Sequence, residues 1–324
     1  MSQISLKNIS KSFKVAKRSA GLISSLKSVV KRDYTNVQAL NEVSFTIEQG
    51  ELLGYIGPNG AGKSTTIKIM SGILVPSSGE CVINGLVPWK DRTAHVRDIG
   101  VVFGQKTQLW WDVPVIDSFE LLRDIYKVSQ KEYAQNRDEL IEVLDLSELI
   151  NTPVRQLSLG QKMRCELAAS LLHSPKILFL DEPTIGLDAV SKLAVRKFIK
   201  QINKEKGVTV LLTTHDMDDI EELCSRVMLI GKGKLLYDGD ISELRRQFET
   251  KRILSIDYET CSTPITFNQS DVNIEIISQT EDAAVISFNP SKVSASTLIN
   301  QLSSEYSIKD LTVKESSIRF LDRL

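Results

Sequence analysis

No apolar run in this chain approaches the ~20 residues that a helix needs to span a bilayer. The first residues, Met1-Ser2-Gln3-Ile4-Ser5-Leu6-Lys7, also lack the apolar core of a secretory signal. The expectation is a cytoplasmic protein that reaches a membrane only through something else. Cysteine is scarce: Cys81, Cys165, Cys224 and Cys261 stand far apart with no C-x-x-C pair, which argues against disulfides and zinc and fits a reducing compartment. An excess of positive charge is missing too. With 40 Lys and Arg against 41 Asp and Glu, the net charge of −1 argues against a general nucleic-acid binder. There is no internal repeat and no low-complexity tract.

What remains is an ordinary globular composition, 42% hydrophobic and 25% charged over 324 residues, enough for one large domain and a smaller one. Its most informative stretch is Gly57-Pro58-Asn59-Gly60-Ala61-Gly62-Lys63-Ser64. An apolar strand pattern, Leu52–Ile56, precedes it, and a helical pattern begins at Lys63. Glycines let the backbone fold round an anion with its N–H groups inward, and the helix N-terminus adds partial positive charge. Lys63 can then reach the β- and γ-phosphates, and the Ser64 hydroxyl can sit on Mg²⁺. The chain is expected to bind a nucleoside triphosphate. A second signal is Lys176–Glu182, a short apolar run ending in two acids, as suits a buried parallel strand whose tip reaches the phosphates. Asp181 would hold Mg²⁺ and Glu182 would polarise the attacking water.

Strand patterns are expected at 1–13, 38–56, 80–84, 98–103, 176–181, 208–214 and 226–231. Helices are expected at 63–71, 116–127, 131–145, 160–173, 189–206 and 216–224. This alternation predicts a parallel sheet covered on both faces. Residues 116–173 are nearly all helical in pattern and are expected to form most of a helical subdomain spanning about 106–173. The stretch 14–37 is strongly basic, with apolar residues at helical spacing. It reads equally as an amphipathic helix on a membrane surface or partner, or as a solvated surface insertion. Past residue 245 the pattern becomes alternating strands at 252–258, 272–277, 284–288 and 308–313. Helices are expected there at 294–304 and 316–324. The expected division is therefore 1–245 and a small α+β domain, 246–324, that serves docking, dimerisation or regulation.

Leu157-Ser158-Leu159-Gly160-Gln161 opens a helix, Gln105 follows the strand Ile99–Phe103, Gly186-Leu187-Asp188 follows Glu182, and His215 ends the strand Val208–Thr214. In this order, over roughly residues 1–240, the chain resembles the ATP-binding subunit of an ABC transporter. The run Phe103–Asp112, with Trp110 and Trp111, is similar to ATPases of ABC-2-type, viologen-exporter-like systems.

The resemblance implies a P-loop NTPase core with a parallel sheet, an antiparallel β subdomain and a helical subdomain. It implies ATP and Mg²⁺, with Gly57, Pro58, Asn59, Gly60, Ala61, Gly62, Lys63, Ser64 and Thr65 around the nucleotide, and with Ser64, Gln105 and Asp181 on the metal. Phe13 would stack on adenine, Gln105 (or its neighbour Gln108) would touch the metal or the lytic water, and His215 would hold the γ-phosphate beside Glu182. Ser158, Gly160 and Gln161 would serve the nucleotide of a second ATPase subunit, identical or different, with Asp188 at the seam. Leu159 stands where the family's commonest pattern has a second glycine.

A membrane permease would be the mechanical partner, with Trp110 and Trp111 split between core and contact surface, and the direction would be export. The alternatives are an importer ATPase with a C-terminal regulatory unit, a soluble ABC ATPase acting on nucleic acid or ribosomes, and a scaffold that turns over little ATP.

Overall fold

The computed structural model describes residues 2–16, 34–104, 106–214, 216–248, 252–259, 265–267, 274–290 and 292–315. The chain divides into two compact units, Met1–Asp240 and Ile241–Leu324. The break falls a few residues before the change of pattern at 245.

The first unit is built on a six-stranded sheet, in the order β5-β6-β7-β3-β8-β9. Its strands are β3 (Leu52–Ile56), β5 (Ile99–Phe103), β6 (Ile177–Asp181), β7 (Thr209–Thr214), β8 (Arg226–Gly231) and β9 (Lys234–Asp240). The first five run parallel, and β9 pairs antiparallel with β8. Parallel strands covered on both faces must be apolar throughout, and every residue of β7 is buried. β9 was not expected from the sequence: only alternate residues are half-buried, as on an edge. The turn joining it to β8 matters for the site, because Gly233 donates to the Ala61 carbonyl at 2.9 Å and accepts from Asn41 at 2.8 Å.

A second sheet, in the order β2-β1-β4, is antiparallel and is made by β1 (Ser2–Ala16), β2 (Tyr34–Glu48) and β4 (Ser78–Ile83). Ile4, Leu6 and Ile9 join Leu53, Tyr55, Ile67 and Met70 in one buried cluster that fixes this sheet to the core. The pairing continues to Lys14↔Asn36, Val15↔Thr35 and Ala16↔Tyr34. The outer parts of the expected insertion, 14–16 and 34–37, are therefore hairpin strands. Cross-strand hydrogen bonds satisfy their backbone, which an isolated short helix cannot do more cheaply. The expected helix within the insertion lies outside the described residues.

Helix α1 (Lys63–Met70) follows β3, and α2 (Arg92–Asp98) precedes β5. The sequence pattern does not mark α2, which is only seven residues long. Its His95 is buried against the Met70 carbonyl at 2.7 Å, and burial lowers that imidazole's pKa. The helical subdomain consists of α3 (Val115–Tyr126), α4 (Gln130–Val143) and α5 (Leu159–Leu171). Helices α6 (Ala189–Lys206) and α7 (Met217–Leu223) then flank β7. Among the described residues no helix is long and apolar enough to cross a membrane, and Cys81, Cys165 and Cys224 are buried free thiols.

The second unit begins with α8 (Ile241–Phe248), another element not expected from the sequence. Its antiparallel sheet has the order β11-β12-β10-β13, from β10 (Arg252–Tyr258), β11 (Ile274–Gln279), β12 (Ala283–Phe288) and β13 (Ile308–Glu315). Leu298 and Leu302 of α9 (Ala295–Glu305) close its core over Leu254, Ile256 and Phe288. The expected helix at 316–324 lies outside the described residues.

Phe179 sits in β6 with no solvent exposure. Truncating it, Phe179→Ala, should cost about 3–5 kcal/mol of stability, read from urea unfolding of the nucleotide-free chain. A loss below about 1 kcal/mol would contradict a close-packed β6.

Candidate functional site

The loop 57–62 leaves β3 and enters α1 through Gly62, at φ +117°. A Cβ there would lie 2.7 Å from Leu40 Cδ2 and 2.8 Å from the Ala39 carbonyl, so only glycine fits. Lys63 is buried, and its ammonium donates to the Gly57 carbonyl at 2.6 Å and the Pro58 carbonyl at 3.1 Å. Burial pulls its pKa below the usual lysine range, against the opposing pull of the Glu182 and Asp181 carboxylates. Thr66 backs the loop from within: its hydroxyl donates to the Gly62 carbonyl at 3.1 Å and meets the buried Tyr55 hydroxyl at 3.2 Å. Thr65 is half-buried on the neighbouring helix face.

Asp181 ends β6 beside this loop. Its Oδ1 accepts from the Ser64 hydroxyl at 3.1 Å and from the Thr213 hydroxyl at 2.7 Å. Glu182 is the next residue and leaves the strand at φ +56°, a left-handed conformation rare for a side-chain-bearing residue. Its N–H is held by the Thr213 carbonyl at 3.0 Å and the Thr213 hydroxyl at 3.2 Å. A cavity of about 400 Å³ opens here, lined by Asn59, Ser64, Lys68, Lys106, Asp181 and Glu182 among others. Lys68 and Lys106 share its lining with two acids, the charge arrangement that suits a polyanion carrying a hard cation.

Ser158, Gly160, Gln161 and Asp188 do not line that cavity. They form a separate group at the start of α5 and α6. Ser158 caps α5 in a reciprocal pair: its hydroxyl accepts from Gln161 N at 3.2 Å, while Gln161 Oε1 accepts from Ser158 N at 2.9 Å. Asp188 caps α6, accepting from Ser191 N at 2.9 Å and Ser191 Oγ at 2.7 Å, and these bonds lower its pKa. The two caps touch: a Cβ on Gly160 would come within 2.2 Å of Ser191 Oγ. Leu159 is exposed on the outer side of this turn.

Other expected residues fall elsewhere. Phe13 is half-buried in β1, and Lys11 Nζ sits 5.3 Å from its ring centroid, so one face already has a cation over it. Gln105 and His215 lie outside the described residues. The alternative to Gln105, Gln108, is turned away from the cavity: its side-chain amide donates to the Glu166 carbonyl at 3.1 Å. Trp110 and Trp111 correct the expectation that one would be core, because both are exposed. They stand in an irregular turn, where neighbouring side chains need not alternate between two faces as in a strand.

The sequence reading missed Thr213, which appeared there only as part of an apolar strand. It also missed Asp219, which is fully buried and paired with Arg196. Asp219 accepts from Thr184, two residues past Glu182, and from Thr214 at 3.3 Å. A buried acid inside an otherwise amphipathic helix pattern is the one trace these contacts leave in the chain.

Together the loop, the acid pair and the parallel sheet define a P-loop nucleotide-binding fold of mixed α/β class. The ABC transporter family profile matches residues 40–185. The chain is 37% identical over 218 residues to a probable multidrug ABC transporter ATP-binding protein, YbhF, of Escherichia coli, covering 67% of this chain and 37% of that protein. It thus spans little more than a third of that relative's length. It is 32% identical over 222 residues to the ABC transporter ATP-binding protein NatA of Bacillus subtilis, covering 68% of this chain and 89% of NatA. A methionine import ATP-binding protein of Latilactobacillus sakei is 29% identical over 299 residues, covering 90% of this chain and 86% of that one. Among solved structures, a dimeric ATP-binding cassette in a post-hydrolysis state with ADP and phosphate superposes with a TM-score of 0.62. The two are 26% identical, over 74% of this chain and 98% of that one. The chain belongs to the family of ABC transporter ATP-binding proteins, which are P-loop ATPases.

Replacing Thr213 by valine keeps the shape and removes the hydroxyl shared by Asp181 and Glu182. The change should lower kcat for ATP by about 5- to 50-fold while leaving the ATP dissociation constant within about threefold, as expected for a group that orients the acids without touching nucleotide. Unchanged turnover would remove Thr213 from the site.

Proposed function

We propose that this chain is the ATP-hydrolysing subunit of an ABC exporter, closing with a second ATPase subunit around two nucleotides and driving a separate membrane permease. The observation that carries this reading is the meeting of the Ser64 hydroxyl and the Asp181 carboxylate at 3.1 Å, with Glu182 beside them at the mouth of the cavity.

Lys63 holds two carbonyl oxygens. A phosphate oxygen is a stronger acceptor, since its full negative charge adds a Coulombic attraction to a bond that the ammonium's charge already assists. On nucleotide entry its ammonium is expected to exchange those carbonyls for the β- and γ-phosphates. Ser64 and Asp181 offer the oxygen donors that suit Mg²⁺. Among the described residues no group of three acids, histidines or cysteines forms a protein cage, so the nucleotide and water would complete the coordination. When bound there, Mg²⁺ withdraws negative charge from the phosphate oxygens. Glu182 turns out of the strand in a left-handed conformation and lines the cavity. There its carboxylate would take the proton from the attacking water as that oxygen bonds to the γ-phosphorus and the bond to the β–γ bridging oxygen breaks, releasing ADP.

Ser158, Gly160 and Gln161 lie apart from their own chain's cavity, which supports a role toward the nucleotide of a second copy: a helix N-terminus with its hydroxyl is an anion site. The dimeric form of the solved relative supports the same arrangement. The exporter reading draws on the multidrug relative and on the exposed Trp110–Trp111 pair, which suits a permease contact. An importer is the second reading, favoured by the methionine-import relative aligned along 90% of this chain. The purified complex separates the two by whether substrate gathers inside or outside vesicles.

Glu182→Gln should bind Mg-ATP within about threefold of the parent, lose more than about a hundredfold in kcat, and elute as a dimer only with ATP. Fast steady-state turnover by this variant would refute Glu182 as the base. Replacing residues 17–33 by a short Gly-Ser link, which spares the paired strands on either side, should weaken sedimentation with anionic vesicles and leave ATP binding intact. Equal sedimentation would return this stretch to a solvated insertion.

A further inference from the structure

Glu166 lies on α5, two turns past Ser158, and is 3% exposed. A carboxylate so far out of water is retained only where donors meet it. Its donors come from the segment that leaves β5 beside the nucleotide cavity. The Thr107 hydroxyl donates to its Oε1, and the Gln108 N–H donates to Oε2 at 3.2 Å. The Gln108 side-chain amide adds a bond to the Glu166 carbonyl at 3.1 Å. Burial raises the carboxyl pKa, and these hydrogen bonds act against that rise.

The same face of α5, one turn back, carries Lys162, whose Nζ sits 5.4 Å from the Trp111 ring centroid. Within the segment, Thr107 Oγ1 also accepts Leu109 N–H at 3.1 Å, and Trp110 N–H is held by Ser118 Oγ at 3.1 Å. Thr107, Gln108 and Trp111 are thus bound to one side of α5, a continuous helix whose first turn is the Ser158 cap, while Trp110 is held to α3. Lys106, the residue before, lines the nucleotide cavity.

We infer that Glu166 is a positioning residue: it ties Thr107–Trp111 to α5, so that the chain beside the nucleotide and the Ser158 turn move as one body. The inference rests on the nucleotide reading above. A carboxylate suits the task because its two oxygens accept from two donors at once, where glutamine offers one acceptor and alanine none. An α-helix of this length is stiff, so a shift at Glu166 is carried along it to Ser158.

The test is hydrogen exchange of the full chain carrying Glu182→Gln, with and without Mg-ATP, followed in peptides covering 106–111 and 158–162. Both peptides should gain protection at one common ATP midpoint. Adding Glu166→Ala should speed exchange at 106–111 by roughly tenfold or more and split the two midpoints. Thr107→Val, which removes the donor from the other side, should split them too. In the otherwise unaltered chain, Glu166→Ala should lower kcat roughly ten- to a hundredfold with ATP affinity within about twofold, and Glu166→Gln should restore part of it.

A joint, unsplit response in both Glu166→Ala and Thr107→Val overturns the tether alone. So does a fall in kcat matched by an equal loss of folded protein. No response of either peptide to ATP in the Glu182→Gln chain would overturn the nucleotide reading and the tether with it.

Discussion

One carboxylate oxygen, Oδ1 of Asp181, receives the hydroxyls of Ser64 and Thr213. Through it the phosphate loop, β6 and β7 share a single junction. The junction exists because the sheet is in register: Asp181 stands opposite Thr213 on one side and Phe103 on the other, and Ile56 stands opposite Thr214. A slip of one residue would turn every side chain to the opposite face and separate the acid from the loop. The apolar core of the six-stranded sheet therefore does more than stabilise the unit. It sets the position of an acid pair against a lysine that burial has already made easier to deprotonate.

The same economy explains the second cluster. Ser158 and Asp188 each satisfy the free N–H groups of a helix start, and Gly160 lets the two starts touch. Their packing depends on local hydrogen bonds, so the turn stands ready without a ligand. Behind both clusters lie buried acids. Asp219 joins the chain past Glu182 to the end of β7, and Glu166 joins the chain past β5 to α5.

The phosphate loop was legible in the chain because its chemistry is local: glycines, a lysine and a serine within eight positions, between a strand and a helix. The strand at Ile177–Asp181 was legible because burial on both faces leaves an unbroken apolar run. Edge strand β9 was not, since half-exposure with Gly239 in it blurs the period, and α2 is only seven residues long. The Glu166 contacts were invisible because their partners stand 58 and 59 positions away, and nothing in a helix pattern reports which neighbour a buried acid will meet. Trp110 and Trp111 depart from the expected split because the chain turns there, and strand-like alternation does not apply.

The central claim is that nucleotide is gripped between the loop of one copy and the Ser158 turn of another. The most direct measurement is a structure of the Glu182→Gln chain grown with Mg-ATP. The account predicts Ser158 Oγ of one protomer within hydrogen-bond reach, about 2.5–3 Å, of the γ-phosphate held by the other protomer's Gly57–Ser64 loop. ATP bound in that loop with the Ser158 of every protomer turned away from it would contradict the claim.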